Sequence, residues 1–132
     1  MDLLVDCGNT RLKWRLQKQG VVQSSGAMLV SGVSLAQLQA RLPSTVSNLY
    51  WASVAGDDLG LCLAAWAQQN QTECQQITTQ DCFHDLSNGY QHPQQLGVDR
   101  WLAMVAARQH THKALCVVDF GSAITFDYVN AQ

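Results

Sequence analysis

Asp6-Cys7-Gly8-Asn9-Thr10-Arg11-Leu12 and, far along the chain, Asp119-Phe120-Gly121-Ser122-Ala123-Ile124-Thr125 share one pattern: Asp-x-Gly followed by a small polar residue. Each follows an apolar stretch and precedes another, the setting of a β-turn between two strands. The chemistry of such a turn suits phosphate. Gly8 leaves room for a ligand to approach the backbone, and Asn9, Thr10 and the turn amides can donate hydrogen bonds to phosphate oxygens. Asp6 at the strand end can hold Mg²⁺, usually through water, or can simply cap the turn. Lys13 can add a positive charge beyond the turn, or can be a solvated strand residue. One Asp-x-Gly turn is common, whereas two in equivalent settings suggest a duplicated domain.

A third constellation is Tyr90-Gln91-His92-Pro93-Gln94-Gln95-Leu96-Gly97-Val98-Asp99-Arg100-Trp101. It places Asp99 and Arg100 in the first turn of a helix, where the dipole favours a carboxylate and disfavours an arginine. Asp99 can therefore be a cap, or a fixed carboxylate that accepts the proton of a hydroxyl during phosphoryl transfer. Arg100 calls for an anionic partner, either a structural carboxylate or a ligand. Asp127 is expected to pair within its own hairpin, with a metal role as the lesser alternative, and His92 to face solvent.

The elements that must position these residues follow from periodicity. Residues 3–7 and 12–16 read as a hairpin turning at Gly8-Asn9-Thr10, with residues 21–30 as a third strand of the same sheet. Ser34 caps a short helix carrying Leu35, Leu38 and Leu42, which stops before Pro43. Residues 48–54 form a buried strand. Asp57 or Asp58 then caps a helix with Leu59, Cys62, Leu63 and Trp66 on one stripe. Ile77 marks a short strand, and residues 80–95 form a polar loop. A helix over 98–110 turns Trp101, Leu102, Val105 and Ala106 inward, and strands follow at 114–119 and 123–129. Trp14, Trp51, Trp66 and Trp101 read as packing residues. An antiparallel hairpin mixed with crossover helices makes an α/β domain with a mixed sheet.

The 132 residues carry 47% hydrophobic and 14% charged side chains and a net charge of -2. That composition excludes extensive disorder, and the scattered basic residues leave no footprint for nucleic acid. No secretory leader and no apolar run of membrane length is expected, which points to the cytoplasm. Cys7, Cys62, Cys74, Cys82 and Cys116 include no CxxC pair and lie in apolar surroundings, so they read as buried, reduced thiols. Cys82 with His84, and His110 with His112, have no second ligand pair at zinc spacing.

The three motifs Asp6 to Trp14, Leu96-Gly97-Val98-Asp99-Arg100 and Asp119 to Asp127, in this order, closely resemble type III pantothenate kinase over the whole chain. The resemblance implies the superfamily of acetate and sugar kinases, heat-shock chaperones and actin, in which two duplicated ribonuclease-H-like domains enclose ATP. It implies transfer of a phosphoryl group from ATP to pantothenate, giving 4'-phosphopantothenate for coenzyme A. By the same likeness Asp6, Cys7, Gly8, Asn9, Thr10, Arg11, Leu12 and Lys13 would form the ATP phosphate loop. Asp99 would be the proton acceptor, and Tyr90 with Gly97, Val98, Asp99 and Arg100 would line the pantothenate pocket. Asp119 would bind a monovalent cation, K⁺ or NH₄⁺, Ser122 would contact ATP, and Mg²⁺ would accompany the nucleotide, held at Asp6 through water. The family usually has Thr at the Ser122 position, a departure that keeps the hydroxyl. Residues 1–113 would be a first actin-like domain and 114–132 the start of a truncated second one. A homodimer, and little activity from this span alone, are expected. The alternatives are a regulator of the same fold without turnover, which the presence of Asp99 opposes, and a sugar or acetate kinase, which the Gly97-x-Asp99-Arg100 element opposes.

Overall fold

The computed structural model describes residues 1–131. By contacts the chain divides into two compact units, Met1–Ile77 and a second from Thr78 onward. This contact boundary is a different quantity from the division at 113/114 drawn from the repeated turns.

The first unit is built on a five-stranded mixed sheet ordered β3-β2-β1-β4-β5, from β1 (Asp2–Cys7), β2 (Arg11–Lys18), β3 (Val21–Leu29), β4 (Asn48–Ser53) and β5 (Glu73–Gln76). The first three strands form an antiparallel meander, and β1 also pairs parallel with β4, which pairs parallel with β5. The β2–β3 turn is Gln19-Gly20 between the paired residues Lys18 and Val21. Both turn residues have positive φ, 50° and 78°, the two-residue geometry whose twist matches a hairpin.

Helices α1 (Leu35–Arg41) and α2 (Asp57–Gln69) cover one face of this sheet. Alternation decides which face: Leu3, Val5 and Cys7 of β1 are buried with Leu12 and Leu49 against Leu38, Leu59, Leu63 and Trp66. Ser34 caps α1 as its position predicts, its hydroxyl accepting from the Gln37 N–H at 3.4 Å. The α2 cap differs from expectation. Gly56 holds the extended cap geometry, so Asp57 and Asp58 are already helical. β5 also starts earlier than Ile77, whose N–H reaches the Trp51 carbonyl just past the strand end.

In the second unit, α3 (Val98–Arg108) packs on a hairpin of β8 (Leu115–Phe120) and β9 (Ile124–Val129). The segment read as a plain loop contains a minimal pair, β6 (Cys82–Phe83) with β7 (Leu86–Ser87), and a 3-10 turn at Pro93–Gln95. Asn88 ties this segment together, its side chain donating to the carbonyls of Gln80 and Pro93. The inward stripe of α3 is Val98, Trp101, Met104 and Arg108, with Leu102 and Val105 half-buried. Ala106, expected inside, is exposed, because the stripe runs through positions three and four apart from Trp101. The hairpin buries Val129 and Asp127 on one face, while Val118, Phe120, Ile124, Phe126 and Tyr128 on the other are exposed.

The thiols also depart from expectation. Cys7 is buried and Cys62 half-buried, but Cys74, Cys82 and Cys116 are exposed, since their short or edge strands have only one covered face. All are free. The Cys7 thiol is pushed from about 9 up to about 12, first by burial and then by the nearby Asp6 charge. The folded chain therefore keeps a proton that the unfolded chain gives up near pH 9. This contribution to stability is complete below that pH and declines as pH rises toward 12. Alkylation at mildly alkaline pH is expected to modify Cys82 and Cys116 first and Cys7 only after denaturation. Early modification of Cys7, read by peptide mass, would contradict the placement.

Candidate functional site

Asp6 is the penultimate residue of β1 and pairs in register with Lys13 of β2 and Ala52 of β4. Alternation puts it on the sheet face away from the helices, exposed, with Lys13 as its exposed cross-strand neighbour. The turn is closed by the Gly8 N–H donating to the Arg11 carbonyl at 3.0 Å. Neighbouring strands brace it: the Val30 N–H donates to the Thr10 carbonyl at 2.9 Å and the Val54 N–H to that of Cys7 at 3.0 Å. Cys7 and Leu12 flank the turn fully buried, so their side chains belong to the core and only their backbone can meet a ligand. Within residues 6–13, the exposed side chains of Asp6, Asn9, Thr10, Arg11 and Lys13 remain for that purpose.

The second Asp-x-Gly turn has the same construction with one residue fewer. The last strand pair is Cys7↔Leu12 in the first turn and Phe120↔Ile124 in the second. Asp119 is again penultimate and exposed, paired with Thr125. The Gly121 N–H closes the turn on the Ala123 carbonyl at 3.0 Å. A Cβ at Gly121 would lie 3.4 Å from an Asp119 carboxylate oxygen, so the glycine keeps the space beside that carboxylate open. Ser122 is exposed at the tip.

Asp99 and Arg100 lie in the first turn of α3, which starts at Gly97 without a side-chain cap. The Arg100 backbone N–H donates to Asp99 Oδ1 at 2.8 Å, so this carboxylate does serve the helix end while remaining exposed. Arg100 finds its anion in Asp127. Its Nε donates to Oδ2 at 3.0 Å and its Nη2 to Oδ1 at 2.5 Å, a bidentate pair. That overturns the expectation that Asp127 pairs within its own hairpin. In register Asp127 faces Val117, an apolar residue that offers no partner, whereas α3 lies across that face. The pair raises the affinity of the guanidinium for its proton, chiefly through the Asp127 hydrogen bond, with Tyr90 adding a smaller hydrogen-bond and charge contribution. Tyr90 is itself placed by Asn88, whose side-chain oxygen accepts the Tyr90 N–H at 3.0 Å.

Thus the second unit brings together Tyr90, Asp99, Arg100 and Asp127, and alternation puts Asp119 on the same hairpin face as Asp127. The first unit holds the 6–13 turn. Asp127 as the Arg100 partner and Asn88 as an organiser were not legible beforehand, because no periodicity joins residues 27 positions apart in different elements. Among the described residues no three His, Cys, Asp or Glu cluster to hold a metal ion. Exposed carboxylates at strand ends, such as Asp6 and Asp119, suit ions that take their other ligands from water, phosphate or backbone carbonyls. No helix among the described residues is long and apolar enough to cross a membrane.

A family model for type III pantothenate kinase matches residues 2–132. Among curated proteins, a type III pantothenate kinase of Nitrosococcus oceani is 33% identical over all of this chain and 53% of its own length. The namesake from Marinobacter nauticus is 36% identical, covering 99% of this chain and 54% of its own. That of Nitrosomonas eutropha is 35% identical, covering 98% and 51%. The chain therefore spans about half the length of the curated relatives it matches.

Proposed function

We propose, for a chain that belongs to the type III pantothenate kinase family, that the protein carrying it transfers the terminal phosphoryl group of ATP to the hydroxyl of pantothenate. The product, 4'-phosphopantothenate, feeds coenzyme A synthesis. The observation that carries this reading is the α3 start, where an exposed Asp99 stands next to an arginine already oriented by a buried carboxylate.

Asp99 accepts the proton of the substrate hydroxyl as its oxygen bonds to phosphorus and the bond to the ADP oxygen breaks. Arg100 and Tyr90, with the backbone of Gly97 and Val98, hold pantothenate so that this hydroxyl meets Asp99. The turn from Asp6 to Lys13 cradles the ATP phosphates with its amides and with Asn9, Thr10, Arg11 and Lys13, and Ser122 supplies a further hydroxyl. Mg²⁺ would be held at Asp6 through water and K⁺ or NH₄⁺ at Asp119, where they would neutralise phosphate charge when bound. An exposed carboxylate at each place fits such loosely held ions.

The sheet order β3-β2-β1-β4-β5, with an antiparallel meander continued by parallel strands, supports a ribonuclease-H-like domain of the actin type. On that reading residues 1–113 form the first domain and 114–132 belong to a second, whose β8–β9 hairpin repeats β1–β2. A cytoplasmic homodimer completes the proposal.

The test is mass-spectrometric detection of 4'-phosphopantothenate after incubation with ATP, Mg²⁺ and pantothenate, in potassium and in sodium. Both the 132-residue chain and one extended to the length of its relatives are assayed. Potassium-dependent product from the extended chain is expected, with little or none from the shorter one. No product from a folded extended chain would overturn the reading.

A further inference from the structure

Asp127 is a carboxylate with only 8% of its side chain exposed, with the apolar Val117, Leu115 and Val129 beside it on its hairpin face. A carboxylate is rarely so buried unless it is paired, and removing its partner would strand a charge. Its partner, Arg100, lies at a helix start, where the dipole opposes a positive charge. Each residue is thus unfavourable alone and acceptable only in the presence of the other. The guanidinium is not sealed in: 28% of the Arg100 side chain is exposed. Of its five N–H groups, the Nε–Nη2 edge is taken by Asp127, and the phenol of Tyr90 lies close to the same guanidinium. The other N–H groups keep their capacity for an anion, in a direction fixed by the pair on the occupied edge. Lysine could not do this, because an ammonium carries no fork to be aimed.

We infer that Asp127 is a positioning residue for carboxylate recognition: it fixes one edge of Arg100 so that the guanidinium presents its remaining donors to the substrate carboxylate. This rests on pantothenate as the substrate. Asp127 touches no substrate itself and acts through Arg100. If the pair served only to staple α3 to β9, its loss would weaken every ligand alike.

The experiment uses the ¹⁵N-labelled chain extended to the length of its relatives, with binding followed by titration and the Arg100 Nε–H signal by NMR. The probes are pantothenate and its alcohol analogue pantothenol, which lacks the carboxylate. Asp127→Asn is expected to weaken pantothenate about tenfold or more, as for the loss of a charge-assisted contact. Pantothenol is expected to change by less than about twofold, and the Nε–H signal, slow to exchange in the parent, is expected to broaden. Equal loss for both ligands, or none for either, overturns the inference. Asp127→Glu keeps the charge and guards against misfolding of the asparagine variant; it is expected to weaken pantothenate severalfold, and unchanged affinity in it also overturns the inference. If the parent binds neither compound, the pantothenate reading fails, and acetate then decides the role of Asp127 by itself. A shift of the Arg100 signal with acetate in the parent but not in Asp127→Asn sustains it, and no shift in either refutes it.

Discussion

Asp99→Asn, in a chain extended to the length of its relatives, is expected to lower turnover by a factor of about 10² to 10⁴ while leaving ATP affinity nearly unchanged. The amide preserves size and can still accept the Arg100 N–H, now at 2.8 Å, through its oxygen, so the start of α3 is kept. What it loses is basicity. It cannot take the proton of the hydroxyl as phosphorus is attacked, and the rate falls by the share that general-base catalysis supplies. ATP is held on the proposal by the 6–13 turn and Ser122, which the substitution does not touch. Steady-state rates set beside nucleotide titration separate the two quantities. An unchanged rate would leave Asp99 as a helix cap and remove it from the chemistry.

The second large effect is on stability. Trp66→Ala is expected to cost the first unit about 3–5 kcal/mol, a large part of the stability of a small domain. Trp66 is the largest fully buried side chain and packs from α2 into the core with Leu3, Leu49 and Leu63. No neighbouring chain segment can collapse into the space of an indole between a helix and a braced sheet. Trp66→Phe supplies the contrast. The indole Nε1 is buried without a hydrogen-bond partner, so phenylalanine removes an unmet donor along with part of the volume. Its cost is expected to be less than half that of alanine. Urea unfolding followed by circular dichroism gives both values, and equal costs would contradict this account of the site.

Much of this architecture could be read from local chemistry. The apolar run of residues 3–7, the alternation over residues 12–16 and the turn residues Gly8-Asn9-Thr10 specify the first hairpin, and the extended residues after Gly20 its third strand, because register and turn geometry act over a few residues. Ser34 announces α1 for the same reason. The errors arose where two signals competed or where the partner was distant. Asp57 and Asp58 are good caps, but Gly56 reached the extended cap geometry first. Ala106 lies off the inward stripe by a fraction of a turn, which a count of apolar residues does not resolve. Of the candidate site, the turns and the Asp99 helix start were legible, since each is a contiguous motif at an element end. The Arg100–Asp127 pair was not, because it exists only after α3 has come down on β9.

The central place of β1 also bears on the order in which the protein acquires its shape. β1 meets β2 across one tight turn, but Asp2 meets Asn48 across 46 positions of chain. Closing so long a loop is entropically dearer than closing a turn, and distant pairings form late. The meander therefore pairs first, while the other edge of β1 waits for β4 to dock. Only then does the Val54 amide reach the Cys7 carbonyl at the base of the Asp6 turn. The Asp6 turn is thus fully braced only once β4 is in place.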